Sequence, residues 1–333
     1  MAMLETMSEG EAMTVPLSVL DIAPVWQGST AAKSLREMTE LAQHAERLGY
    51  QRYWVAEHHN TQSIASSSPP VLVAALAGVT DTIRVGSGGV MLTNHPPLVV
   101  AEQFGTLEAL HPGRIDLGVG RAPGTDPVAA RLLHRGGDFP GQIQELLGYF
   151  DDHAPIAAIP AHGNRPAFWL LGSSVDSAEL AGKLGLPYAF AHHIRPENTD
   201  AALARYRETF QPSAESDRPR VIVSALVIAA DTQERADWLA SSLALMIIRM
   251  RGGFNQGPHT PPEQAAAHPF SQAERDYIAE RLTSRIIGDR ETVRRKVIEL
   301  VQRTQADELM VMTLIHDQAE RLRCYELLRE AVG

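Results

Sequence analysis

One cysteine, Cys324, stands among 333 residues, so no intrachain disulfide is possible. That scarcity fits a reducing, cytoplasmic setting. Cys324 lies in the helical pattern ERLRCYELL, where a packed structural thiol is expected rather than a nucleophile. Long apolar runs are missing too: no stretch reaches the roughly 18 residues of a membrane span. Basic residues are in the minority, with 30 Lys and Arg against 40 Asp and Glu and a formal net charge of -10. A nucleic-acid partner, which calls for a basic stripe, is not expected. The opening MAMLETMSEGEAM has neither the basic nor the apolar region of a signal peptide. Residues 1–14 therefore read as a disordered leader and 15–333 as a single domain. Internal repeats and low-complexity tracts are absent.

What is present is a large apolar fraction, 44%, arranged in a regular alternation. β-rich runs occupy 17–22, 52–57, 83–88, 114–120, 167–172, 187–192, 221–229 and 308–313. Helical patterns separate them. In SLREMTELAQHAERLGY, Leu35, Met38, Leu41, Ala42, Ala45 and Leu48 share one face, and Gly49 closes the helix. Eight strand–helix units in a chain of this length predict an α/β fold, a closed (β/α)8 TIM barrel. Two stretches exceed the barrel's needs. Residues 121–166 form an insertion after strand 4 that holds the helical GQIQELLGYF, and 249–270 read as a long loop before the last helices. A loop of that length suits an active-site lid or a disordered insertion.

In such a barrel, chemistry collects where the strands end. The second strand runs into Glu57, His58, His59 and Asn60, and the third into Gly88 and Gly89, followed by Asn94 and His95. The fourth ends at Gly120 and Arg121, the fifth at Ser173 and Ser174, and the sixth at His192 and His193. Histidine pairs can ligate metals, but neighbours on a strand face opposite ways, so each pair offers one inward imidazole. No metal is expected. GVGRAPG lacks the dinucleotide-binding spacing. LLGSSVDSAEL is more telling: a strand, a polar turn, then a helix starting near Asp176 or Ser177. A helix start of this kind binds anions, with Ser173, Ser174 and Ser177 as hydroxyl donors. An ordinary N-cap would use the same residues. Arg121 could supply a bidentate positive partner, so the group fits a cofactor carrying one phosphate. The Gly88–Gly89 pair interrupts a strand and suggests a bulge or the close approach of a ligand.

WVAEHHN, VGSGGVMLTNHPPLVVAEQFGTLEALHPGRIDLGVGRAPGTD, WLLGSSVDSAELAGKLGLPYAFAHHI and IIGDRETVRRKV together resemble the bacterial luciferase-like flavin-dependent monooxygenases. The likeness extends over most of 15–325 and is closer to the non-luminescent subgroup that includes natural-product tailoring enzymes. The resemblance implies a (β/α)8 barrel that binds FMN as FMNH2 from a separate NAD(P)H:flavin reductase. With O2 as co-substrate, a C4a-hydroperoxyflavin would then oxygenate a small organic molecule. It implies a homodimer as well. By the same likeness, His58 matches a catalytic histidine beside the flavin, and Gly88–Gly89 a non-prolyl cis peptide against the ring. Arg121, next to Gly120, matches an arginine near the phosphate; Ser173, Ser174 and Ser177 match the phosphate turn. His193 falls near the ring. Gly120 and Ser173 replace a cysteine and a glutamate of luciferase itself, so light emission and long-chain aldehydes are not implied. A deazaflavin-dependent hydride-transfer enzyme, a non-catalytic flavin-binding subunit and a metallohydrolase are the competing readings.

Overall fold

The computed structural model describes residues 14–133, 137–151, 156–251 and 257–333. Nine strands form in chain order: β1 Leu17–Asp21, β2 Arg52–Val55, β3 Arg84–Met91, β4 Ile115–Gly120, β5 Ala167–Gly172, β6 Tyr188–Phe190, β7 Val221–Ala229, β8 Ile286–Gly288 and β9 Glu308–Met312. Eight of them close into a parallel ring, β1 through β7 and then β9, which pairs back onto β1. These eight are the runs predicted from sequence, and β5 and β7 match end to end. Their side chains are almost all buried, as strands covered on both faces require.

β8 was not anticipated. β9 pairs only with Ile222–Leu226, so the upper part of the nine-residue β7 is left with a free edge. Ile286, Ile287 and Gly288 fill it opposite Val227, Ile228 and Ala229. Three residues are too short to show an alternation. The helix Ala31–Arg47 covers the barrel with Met38, Leu41, Ala42 and Ala45; Thr30 caps its start and Gly49 leaves it at a φ of +76°.

The N-terminal mouth of the barrel is plugged by charge rather than by aliphatic layers alone. Arg52 reaches Asp116 and Glu308, both at 2.8 Å, and Asp116 also takes Arg84 at 2.7 Å and the Trp54 indole N–H at 2.8 Å. Trp169 stacks over the Arg52 guanidinium. All of these groups except Arg84 are buried. A second buried pair, Arg321 to Asp21 at 2.6 Å, ties the C-terminal helix Gln318–Val332 to the end of β1. Cys324 is buried in that helix, and burial lifts its thiol to about 11.

Within the insertion after β4, helices form over Pro127–Leu133 and Phe139–Gly148. The stretch expected as one loop, 249–270, is more ordered. The helix Ser241–Arg251 runs into it, a short helix spans Pro262–Ala266, and residues 252–256 lie outside the described residues. His259 docks its backbone between Val25 and Gln27, and its buried ring packs on Trp26. Residues 1–13 of the expected leader also lie outside the described residues. Among the described residues, no helix is long and apolar enough to cross a membrane.

Candidate active site

The C-terminal ends of β2 through β7 build one rim. At the end of β2, Glu57 is fully buried and collects four donors. His59 Nε2 meets Oε1 at 2.8 Å, His95 Nε2 at 2.9 Å and Asn94 Nδ2 at 3.3 Å, while the Met91 N–H donates to Oε2 at 2.9 Å. Burial alone would raise this carboxyl. The hydrogen bonds from His95 and His59 hold it below its ordinary value. Glu57 therefore pins the end of β2 to the end of β3. The next residues are fixed to the β4 loop: His59 N–H donates to Gly124 O at 2.9 Å and Asn60 Nδ2 to Asp126 at 2.6 Å.

His58 points away from that network. It is half-buried, and its Nδ1 is enclosed with no hydrogen-bond partner among the described residues. Burial, with the neighbouring His59, brings its titration from 6.5 down to about 4. At neutral pH it is thus an uncharged imidazole, not the half-protonated group that its ordinary value near 6.5 suggests. On the far side of the mouth, His193 Nδ1 lies 2.8 Å from Ser224 Oγ on β7, and the Arg285 guanidinium donates to the His193 carbonyl at 2.6 Å. Burial and Arg285 bring His193 down to about 3, and a charge on His58 disfavours one on His193. His192 turns the other way, to Thr199 Oγ1 at 2.7 Å. The two adjacent imidazoles find different partners, and both lie in the turn that follows β6 rather than on the strand that the sequence reading extended to 192. Among the described residues no group of three or more His, Cys, Asp or Glu is arranged to hold a metal ion.

The Gly88–Gly89 peptide is cis, and the β3–β4 register slips there: Gly88 pairs with Gly118, but Val90 with Val119. The wall is firmest at Gly89, where backbone stands in the way, and softer at Gly88, where the tip of a leucine does. A Cβ on Gly88 would lie 2.8 Å from Leu20 Cδ1, and one on Gly89 2.7 Å from Gly118 O. Gly120 is different, since a Cβ there would make only an ordinary contact with Met91 Sδ at 3.7 Å. Arg121 follows it, exposed; its carbonyl accepts from Thr93 Oγ1 at 3.1 Å, and its guanidinium has no hydrogen bond or ion pair among the described residues.

At the end of β5 the helix starts at Val175, slightly earlier than expected, with Ser174 as its N-cap. Ser174 Oγ accepts from Ser177 N–H at 3.2 Å and Ser177 Oγ from Ser174 N–H at 3.3 Å, a capping box of two serines. Ser173 is held through its carbonyl by Asn198 Nδ2 at 3.1 Å. The amides of Val175 and Asp176 precede the first intrahelical bond and remain available to an anion. β4 and β5 are paired neighbours, so Arg121 and this turn leave adjacent strand ends.

The sequence reading left out Glu57, Asn94, Ser224 and Arg285 as site residues. Glu57 stood in the EHHN stretch, but nothing in a linear string shows four donors converging on it. Ser224 sits mid-run in VIVSALVIA, where an isolated serine was the available signal.

Residues 15–308 match the family model described as luciferase-like monooxygenase. The chain is 48% identical to the uncharacterized protein YvbT of Bacillus subtilis, over 97% of this chain and 98% of the relative. It is 43% identical to a luciferase-like monooxygenase of Escherichia coli K12, over 94% and 96% of the two chains. Among solved structures, apo-MsnO8 superposes with a TM-score of 0.89 at 42% identity, covering 96% of this chain and 98% of that one. The chain belongs to the luciferase-like monooxygenase family and is an oxidoreductase.

Proposed function

We propose that this protein is a two-component monooxygenase that takes FMNH2 from a separate reductase and uses O2 to oxygenate a small organic substrate. The observation that carries the reading is the composition of one rim. An enclosed imidazole without a partner ends β2, and a helix start with available amides ends β5. A flavin mononucleotide needs both kinds of partner, one near its ring and one at its phosphate. The residues present fit it. The amides of Val175 and Asp176 with Ser173, Ser174, Ser177 and Arg121 would hold the phosphate. Gly88, Gly89, Gly120, His58 and His193 would border the ring. When bound and reduced, the flavin supplies the electrons that activate O2.

The chain's own part is orientation and proton control. His58 stays neutral at pH 7, so it can accept a hydrogen bond at Nδ1 or carry a proton between reacting atoms without keeping it. The Glu57 network fixes the segment on which it stands. The segment docked by His259 is bonded to Val25 and Gln27, past the end of β1. A homodimer belongs to the same proposal.

The decisive experiment is anaerobic titration with FMNH2, followed by rapid mixing with O2. Saturable binding and reoxidation kinetics distinct from those of free FMNH2 support the reading. Reoxidation at the free-flavin rate under saturating protein overturns it, as does tighter binding of a deazaflavin than of FMN.

A further inference from the structure

Outside the barrel wall, behind the His192–His193 turn, lies a cavity of about 520 Å³ that the proposed reaction does not use. It is framed by the turn after β6, the end of the helix Gln272–Leu282 and one face of the helix Arg290–Thr304. Five cations line it, Arg281, Arg285, Arg295, Lys296 and Arg303, against three carboxylates, Glu197, Glu280 and Glu299. That local excess of positive charge sits on a chain whose net charge is -10. The carboxylates do not cancel it pairwise: among the described residues, Arg285, Arg295 and Lys296 form no ion pair, and Arg303 pairs outward with Asp200 at 3.4 Å.

Arg285 is the centre of the arrangement. One guanidinium nitrogen donates to the His193 carbonyl at 2.6 Å, whereas its Nε is enclosed with no acceptor. Lys296 approaches from the next turn, bonding the Arg285 carbonyl at 3.3 Å. Burial, with the neighbouring Arg281 and Arg295, lowers the titration of both groups. Pro196 and Ile194, the latter 59% exposed, add apolar surface to the lining.

We propose that this cavity binds an organic phosphate monoester, its phosphate between Arg285, Arg295 and Lys296 and its apolar body against Ile194 and Pro196. Forked guanidinium donors suit phosphate oxygens, and the apolar wall favours an ester over the free ion.

Isothermal titration of the purified full chain with phenyl phosphate, at about 0.1 M ionic strength, tests this without any flavin. One saturable site per chain is expected, tighter than for inorganic phosphate. Arg295→Gln, at an exposed position that leaves the fold intact, and Lys296→Gln should each weaken it by about tenfold or more. Ser174→Ala should leave it unchanged, which separates this site from the turn assigned to flavin phosphate. The proposal is overturned by no saturable binding, by equal affinity for inorganic phosphate, or by binding that is lost in Ser174→Ala and kept in Arg295→Gln. FMN titrations of the same variants stand or fall independently.

Discussion

Four imidazoles set the acid response of this protein. Burial brings His58, His192 and His259 to about 4 and His193 to about 3, against 6.5 for a free side chain. Between 6.5 and those values the unfolded chain binds protons that the folded chain refuses. Their contribution to stability is therefore complete above pH 6.5 and is lost as pH falls toward about 4. Melting temperatures should drop through that window and be flat above it as far as these groups are concerned. His259→Phe, which keeps an aromatic ring against Trp26, should give a shallower descent; an unchanged slope would remove His259 from the account. Glu57 makes the second residue-scale case. Glu57→Ala removes the acceptor shared by His59, His95, Asn94 and the Met91 amide, at a cost of about 1–3 kcal/mol. Urea denaturation should show that loss, together with weaker FMN binding; loss of stability alone would confine Glu57 to folding. His58 could be named from EHHN, whereas its depressed titration could not, because enclosure comes from other strands.

Among the elements, the β5–helix junction is the most tightly specified. Gly172 has no Cβ because one would stand 2.1 Å from Ser177 Oγ and 2.9 Å from the Tyr188 hydroxyl. That absence lets Ser177 fold back onto Ser174 and leaves the first amides clear. Ser174→Ala removes the cap and should cost about 0.5–2 kcal/mol by thermal or urea denaturation. The same variant should weaken FMN binding if the turn holds phosphate, and an unchanged FMN affinity would separate capping from binding. The pattern LLGSSVDSAEL announced a strand, a turn and a helix, but the cap fell on Ser174 rather than Asp176 or Ser177, since all three residue types cap well. β8 was illegible for a different reason: it exists only because β7 outruns its neighbour β9. The docking of 257–261 likewise depends on the edge offered by Val25 and Gln27, far away in the chain.

For the whole molecule, the charged floor of the barrel is the feature on which closure depends. Arg52, Asp116 and Glu308 come from three strands distant in sequence and meet in the buried interior. Asp116→Ala would leave Arg52 with one partner fewer and deprive Arg84 and Trp54 of theirs, and it should cost about 3–5 kcal/mol in urea denaturation. A loss below 1 kcal/mol, on the order of a surface pair, would show the floor to be solvated. Assembly is the other matter at this scale. The helices Pro69–Ala77 and Pro97–Leu110 are apolar on more than their inner faces, with Val71 66% and Leu110 68% exposed. Sedimentation should show the proposed dimer, and Val71→Asp should shift it toward monomer if this face is the contact.

The sequence alone determined the eight ring strands, the (β/α)8 class and the rim positions of His58, Gly88, Gly89, Arg121, Ser174 and His193. Those follow from local periodicity and from the rule that barrel strands deliver their last residues to one end. Only the tertiary structure decided that Glu57 gathers four donors, that burial lowers the titration of His58, and that Arg285 reaches the His193 carbonyl. Each of these depends on groups from separate strands meeting where water is excluded, and distance along the chain carries no record of that.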